Sequence, residues 1–143
     1  MPDRQKMIQQ LRRHEGERLK PYRCTAGKLT IGVGRNLEDR GITAEESAYL
    51  LNNDIEREWK ALKTALPWVT GLNDVRQRVL LDMAFNLGID GLLKFKNTLA
   101  TIQRGDYERA AGMMLDSLWA RQVKGRAVRL AKMMKTGIDG PTG

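Results

Sequence analysis

A carboxyl, a thiol and a hydroxyl lie close together near the start of this chain. Eight residues separate Glu15 from Cys24, and five separate Cys24 from Thr30. Met7, Ile8 and Leu11 recur at helical spacing, and Gly16 offers a stop directly after Glu15. Glu15 therefore falls at the negative end of a helix dipole, four residues after Leu11 on the same stripe. Dipole and partial burial both disfavour a charged carboxylate there, and a carboxyl kept protonated near neutral pH is a general acid. Taken alone, Glu15 reads first as an ordinary surface glutamate, since perturbed acids are the exception. Glu17 lies past the stop and is predicted to be solvated. Cys24 is the one cysteine of the chain, so no internal disulfide can form. His14 has no cluster of Cys or His around it, so neither metal nor cofactor is expected.

The elements that must position these groups are mostly helical. From Tyr22 to Val33 the pattern changes: Leu29, Ile31 and Val33 alternate with Lys28, Thr30 and Gly32, after a Thr25-Ala26-Gly27 turn. That predicts a short hairpin with one apolar face. Gly32 and Gly34 could admit a ligand to its backbone or simply relieve twist. Their Gly-x-Gly lacks a third glycine and a βαβ setting, so it does not read as a nucleotide site. Thr43 and Glu46 have capping-box spacing, and a long helix follows with Leu51, Ile55, Trp59, Leu62 and Leu66 on one stripe, ending near Pro67. Asn73 caps a further helix that stops at Leu87-Gly88, and Asp90-Gly91 reads as a turn. Three more helices are predicted, over 92–103, 107–115 and 126–134, before a Gly-Pro-Thr-Gly end expected to fray.

The order Glu15, Cys24, Thr30, followed by Ile31-Gly-Val-Gly34, resembles the active-site segment of the phage-type lysozymes, the endolysins of glycoside hydrolase family 24. Their pattern is Glu, eight residues, Asp or Cys, five residues, Thr. Leu51-Leu-Asn-Asn-Asp54, Met83-Ala-Phe-Asn-Leu-Gly88, Ser117-Leu-Trp119 and Gly125-Arg-Ala-Val-Arg129 extend the likeness over most of the chain. The resemblance implies a mainly α, α+β lysozyme-like fold in a single domain of two lobes. The small lobe would take residues 15–55 with the hairpin, and the helical lobe residues 1–14 plus 67–143, joined by the long helix.

It also implies an endolysin muramidase that hydrolyses the β-1,4 bond between N-acetylmuramic acid and N-acetylglucosamine in bacterial peptidoglycan. Carried over, Glu15 protonates the leaving oxygen and Thr30 helps to hold the attacking water. Arg126 pairs with Glu15, Asn86 approaches it, and Arg35 pairs with Asp54. Cys24 stands where the family more often has Asp. It could orient water, act as a thiolate base or attack the sugar, and a lone thiol can also be buried and inert. Gly32 could support bound glycan. Trp119 could lie under a sugar or in the core.

Composition bounds the alternatives. The chain has 143 residues and a net charge of +8, from 25 Lys and Arg against 17 Asp and Glu. Six bases and no acid lie between Arg121 and Lys135. That stretch could be a solvated face, attraction to the anionic envelope, or a membrane-disrupting helix. A lytic transglycosylase, using Glu15 alone, and a non-catalytic nucleic-acid binder are the competing functions. No helix-turn-helix stands out, so nucleic acid is not the expected partner. The polar start lacks a signal segment. A monomer is expected in the host cytoplasm, reaching the periplasm through a separate holin-type pore, as the resemblance implies.

Overall fold

The computed structural model describes residues 1–140; of the expected frayed end, Pro141 to Gly143 lie outside the described residues. Seven α-helices and a three-stranded antiparallel sheet make up the described part. Two compact units result, Met1–Leu50 and a second from Leu51 onward.

In the first unit, α1 (Arg4–Glu15) opens on Asp3, whose Oδ1 accepts from the Lys6 N–H at 3.0 Å. It ends at Gly16, where φ of 74° takes the chain out of the helix while the Gly16 N–H still reaches Arg12 O. Then come β1 (Arg18–Arg23), β2 (Leu29–Gly32) and β3 (Arg35–Asn36), in that spatial order. Tyr22 sits opposite Thr30, Arg23 opposite Leu29, and a bulge separates Arg18 from Tyr22. Pro21 is tolerated because β1 is an edge strand and has no partner on its outer side to donate to. The hairpin buries Thr30 most deeply, at 3% exposure, while Leu29 and Ile31 are half-buried and Val33 belongs to the turn after β2.

The capping box is present as predicted at the start of α2 (Ala44–Ala65). The Glu46 N–H donates to Thr43 Oγ1 at 3.1 Å and the Thr43 N–H to Glu46 Oε1 at 2.8 Å. Of the predicted stripe, only Leu62 is fully buried; Leu51 and Ile55 are exposed. A 3-10 turn at Pro67–Gly71, not foreseen from the sequence, follows. The Gln77 amide fastens it, donating toward the carbonyls of Val69, Thr70 and Leu72 at 3.1–3.2 Å.

In the second unit, Asn73 caps α3 (Asp74–Leu93) as predicted, its Oδ1 accepting from the Arg76 N–H at 2.9 Å. Gly88 is non-helical and kinks α3, but helix resumes through Asp90 and Gly91, where a turn was expected. Next come α4 (Lys96–Gln103), α5 (Tyr107–Leu115), α6 (Leu118–Val123) and α7 (Gly125–Thr136). Ser117 caps α6, which the sequence patterning does not reveal because six residues are too few for a period. The core centres on Leu80, Met83, Met114 and Met134, all essentially unexposed. Ala110 and Ala111 of α5 and Ala127 and Ala131 of α7 are buried there as well, and their small side chains let the two helices lie close.

Candidate active site

The first unit assembles Glu15, Cys24 and Thr30 from one helix end and one hairpin. Glu15 is the last residue of α1 and is exposed, where partial burial was expected. The reason is that α1 buries none of its residues, Leu11 included. Its carboxyl lies against the Val33-Gly34 turn between β2 and β3. Glu17 is exposed, as predicted, with Arg12 Nε 3.3 Å from its Oε2.

Cys24 is half-buried in the turn that joins β1 to β2. The turn closes twice through its backbone: Cys24 N–H donates to Lys28 O at 3.0 Å, and Gly27 N–H donates to Cys24 O at 2.8 Å. Hydrogen bonds from the Lys28 backbone foremost, then from the Ala26 backbone, hold the thiol below its ordinary pKa. The Thr30 hydroxyl adds a smaller contribution in the same direction, against the opposing effect of burial. No guanidinium is among the causes, and Arg23 is turned to Gly27 O and Glu38 instead. The Thr30 Oγ1 donates to Lys28 O at 2.8 Å. The Lys28 backbone therefore touches both side chains, through its N–H and its C=O.

Glu38, which the sequence did not single out, secures that peptide from outside. Its Oε1 accepts from the Leu29 N–H at 3.3 Å and from Arg23 Nη1 at 3.4 Å, and Lys28 Nζ stands 3.6 Å from Oε2. Arg35 donates to Glu46 Oε1 at 2.7 Å, while Asp54 is bound to Arg57. Glu46 places this carboxylate beside Thr43 at the helix start, within reach of Arg35. That carboxylate is pulled down to about 2, first by the Arg35 hydrogen bond and next by the Thr43 N–H. Gly32 has φ of 68° and open space where a side chain would project.

Three expected site residues belong to the second unit. Trp119 is 4% exposed, donates its indole N–H to Asn86 Oδ1 at 2.8 Å, and meets the edge of Phe95. Asn86 is thereby committed to holding a core tryptophan. Arg126 brings Nε and Nη2 onto Asp82 Oδ1, at 2.9 and 2.6 Å. Asp82 is a partner the sequence reading missed, although it lies one helical turn before Asn86. Asp82 and Arg126 border an open cavity of about 540 Å³ in the second unit, with Leu81, Phe85 and Met133 on its walls.

The chain is similar to known proteins over most of its length. The phage lysozyme family matches residues 12–134. The pre-baseplate central spike protein Gp5 of Enterobacteria phage T4 is 33% identical over 92% of this chain, which spans 28% of that longer protein. "Probable T4-type lysozyme 1" of Dictyostelium discoideum is 27% identical, with 89% of this chain and 92% of that protein covered. An endolysin of Salmonella phage P22 is 32% identical over 82% of each chain.

Proposed function

Because the chain belongs to the phage lysozyme family, we propose that it is an endolysin muramidase of bacterial peptidoglycan. It hydrolyses the β-1,4 bond between N-acetylmuramic acid and N-acetylglucosamine. The observation that carries this is the hairpin turn at Cys24: a thiol with a lowered pKa, joined through the Lys28 backbone to a buried Thr30 hydroxyl.

In this mechanism Glu15 gives its proton to the departing glycosidic oxygen as the bond to the anomeric carbon breaks. A water held by Thr30 attacks that carbon, and its proton passes to the Cys24 thiolate. Each sugar fragment gains one part of the water, and Glu15 and Cys24 then exchange the proton back through solvent. The protein works as a monomer and is released to the wall through a separate holin-type pore. No described helix is long and apolar enough to cross a membrane.

Mass spectrometry of fragments released from purified peptidoglycan tests the reaction. Fragments ending in reducing N-acetylmuramic acid are expected; anhydro ends would mean transglycosylation and remove Cys24 from the chemistry. Glu15→Gln is expected to abolish lysis while the chain stays folded by circular dichroism. The likeness to the T4 spike protein favours a second setting for the same chemistry, in which the enzyme is carried by the virion. Immunoblots of purified virions distinguish the two.

A further inference from the structure

The turn between β2 and β3 carries no side chain at the point where it meets Glu15. Gly34 has φ of 67°, and a Cβ there would fall 2.9 Å from Glu15 Oε2, 3.1 Å from Cδ and 3.3 Å from Cγ. Gly32, two residues earlier, shares the left-handed backbone with φ of 68°, yet a Cβ there would meet nothing within 4 Å. Backbone conformation therefore accounts for a glycine at both positions, whereas close approach to the carboxyl distinguishes Gly34. We propose that Gly34 is a positioning residue for Glu15. Its bare backbone is the wall against which the carboxyl rests, and that wall sets where the acid presents its proton. The inference rests on Glu15 being the general acid.

The crowded atoms are the far end of a flexible side chain. An added methyl at Gly34 is therefore accommodated by rotating the Glu15 carboxyl, which costs the fold little. The chemistry is less tolerant, since a general acid must lie within hydrogen-bond reach of the oxygen it protonates. A misplacement of about 1 Å costs on the order of 10²-fold in rate. Substrate affinity, spread over many sugar contacts, does not depend on that placement. The signature is a loss in kcat without a matching change in KM.

Gly34→Ala and Gly34→Asn, compared with Gly41→Ala and Glu15→Gln, test this on soluble uncrosslinked glycan strands. Asn accepts left-handed φ more readily than Ala, so Gly34→Asn keeps the added Cβ and sheds most of the backbone strain. Gly41 has φ of 63°, and a Cβ there would approach only the Leu37 carbonyl oxygen, at 3.9 Å. Gly41→Ala thus matches the strain without touching Glu15. Both Gly34 variants are expected to lose kcat by roughly 10- to 100-fold with KM changed by less than about twofold, and Gly41→Ala to keep its kcat. A folded Gly34→Asn with wild-type kcat, beside an inactive Glu15→Gln, overturns this inference alone. So does a Gly41→Ala that falls as far as Gly34→Ala. A fully active, folded Glu15→Gln overturns the general-acid role and the inference with it.

Discussion

At Cys24 the unusual choice of a thiol, where the family more often carries a carboxylate, is met by the backbone around it. A free thiol titrates near about 8.5 and is mostly protonated at neutral pH. The Lys28 and Ala26 backbone and the Thr30 hydroxyl lower that value, so the thiolate is populated at lower pH than in a free cysteine. If this thiolate takes the water's proton, activity rises with pH through an ionisation below the ordinary thiol range. In Cys24→Asp that rise should move to the carboxylate range, about 4, and substantial activity should remain at neutral pH. Cys24→Ala should lose about 10²-fold or more. A pH–rate series on the three proteins checks this, and a fully active Cys24→Ala would remove the thiol from the mechanism. The spacing of Glu15, Cys24 and Thr30 was plain in the sequence. The donors that tune the thiol were not, because they are main-chain groups that only the closed turn aims at sulfur.

Among the elements, the start of α2 and the end of α7 show two ways of completing a helix terminus. Glu46 closes the capping box and also holds Arg35 of β3, so one carboxylate joins helix to sheet. Its folded pKa, about 2, lies below the ordinary value of about 4.3. A group depressed in this way contributes stability that is fully present above about pH 4.3 and is lost as pH falls toward 2. The melting temperature of the wild type should therefore fall more steeply over that window than that of Glu46→Gln. Parallel slopes would show that the pair adds nothing.

At the other terminus, Arg76 Nε donates to Met134 O at 2.7 Å and Nη2 to Lys135 O at 3.1 Å, while the guanidinium stacks 3.6 Å over Tyr107. A cation at the negative end of α7 satisfies carbonyls that the helix leaves unpaired. Arg76→Ala is expected to cost about 1.5–3 kcal/mol in a denaturant titration, the range for hydrogen bonds to charged groups. A cost below about 0.5 kcal/mol would make it a surface arginine only. The capping boxes and caps at Thr43 and Asn73 were legible because they are local; the Arg76 clasp spans nearly 60 residues of chain and was not.

For the whole molecule, the net charge of +8 makes encounter with an anionic envelope favourable and sensitive to salt. The initial rate of wall lysis should fall severalfold between about 0.01 and 0.15 M NaCl, as the screening length drops from about 30 to 8 Å. The rate on short soluble strands stripped of peptide should change far less, and equal salt dependence on both would discount steering. The sequence by itself determined the family and the helical class with one small sheet, and it set out the spacing of Glu15, Cys24 and Thr30, because these rest on periodicity, caps and intervals along a few turns of chain. It misplaced Asp90-Gly91 as a turn, and its stripe of Leu51, Ile55 and Leu62 left open which of them are buried, since period does not say how much of a stripe finds a partner. Only the tertiary structure decided that Arg35 binds Glu46, that Arg126 binds Asp82, and that Trp119 spends Asn86 on its indole. The last two pairings join residues more than 30 positions apart in the chain, and the first joins a strand to a helix. Possible partners, charged or polar, are plentiful along the chain, and three-dimensional proximity alone selects among them.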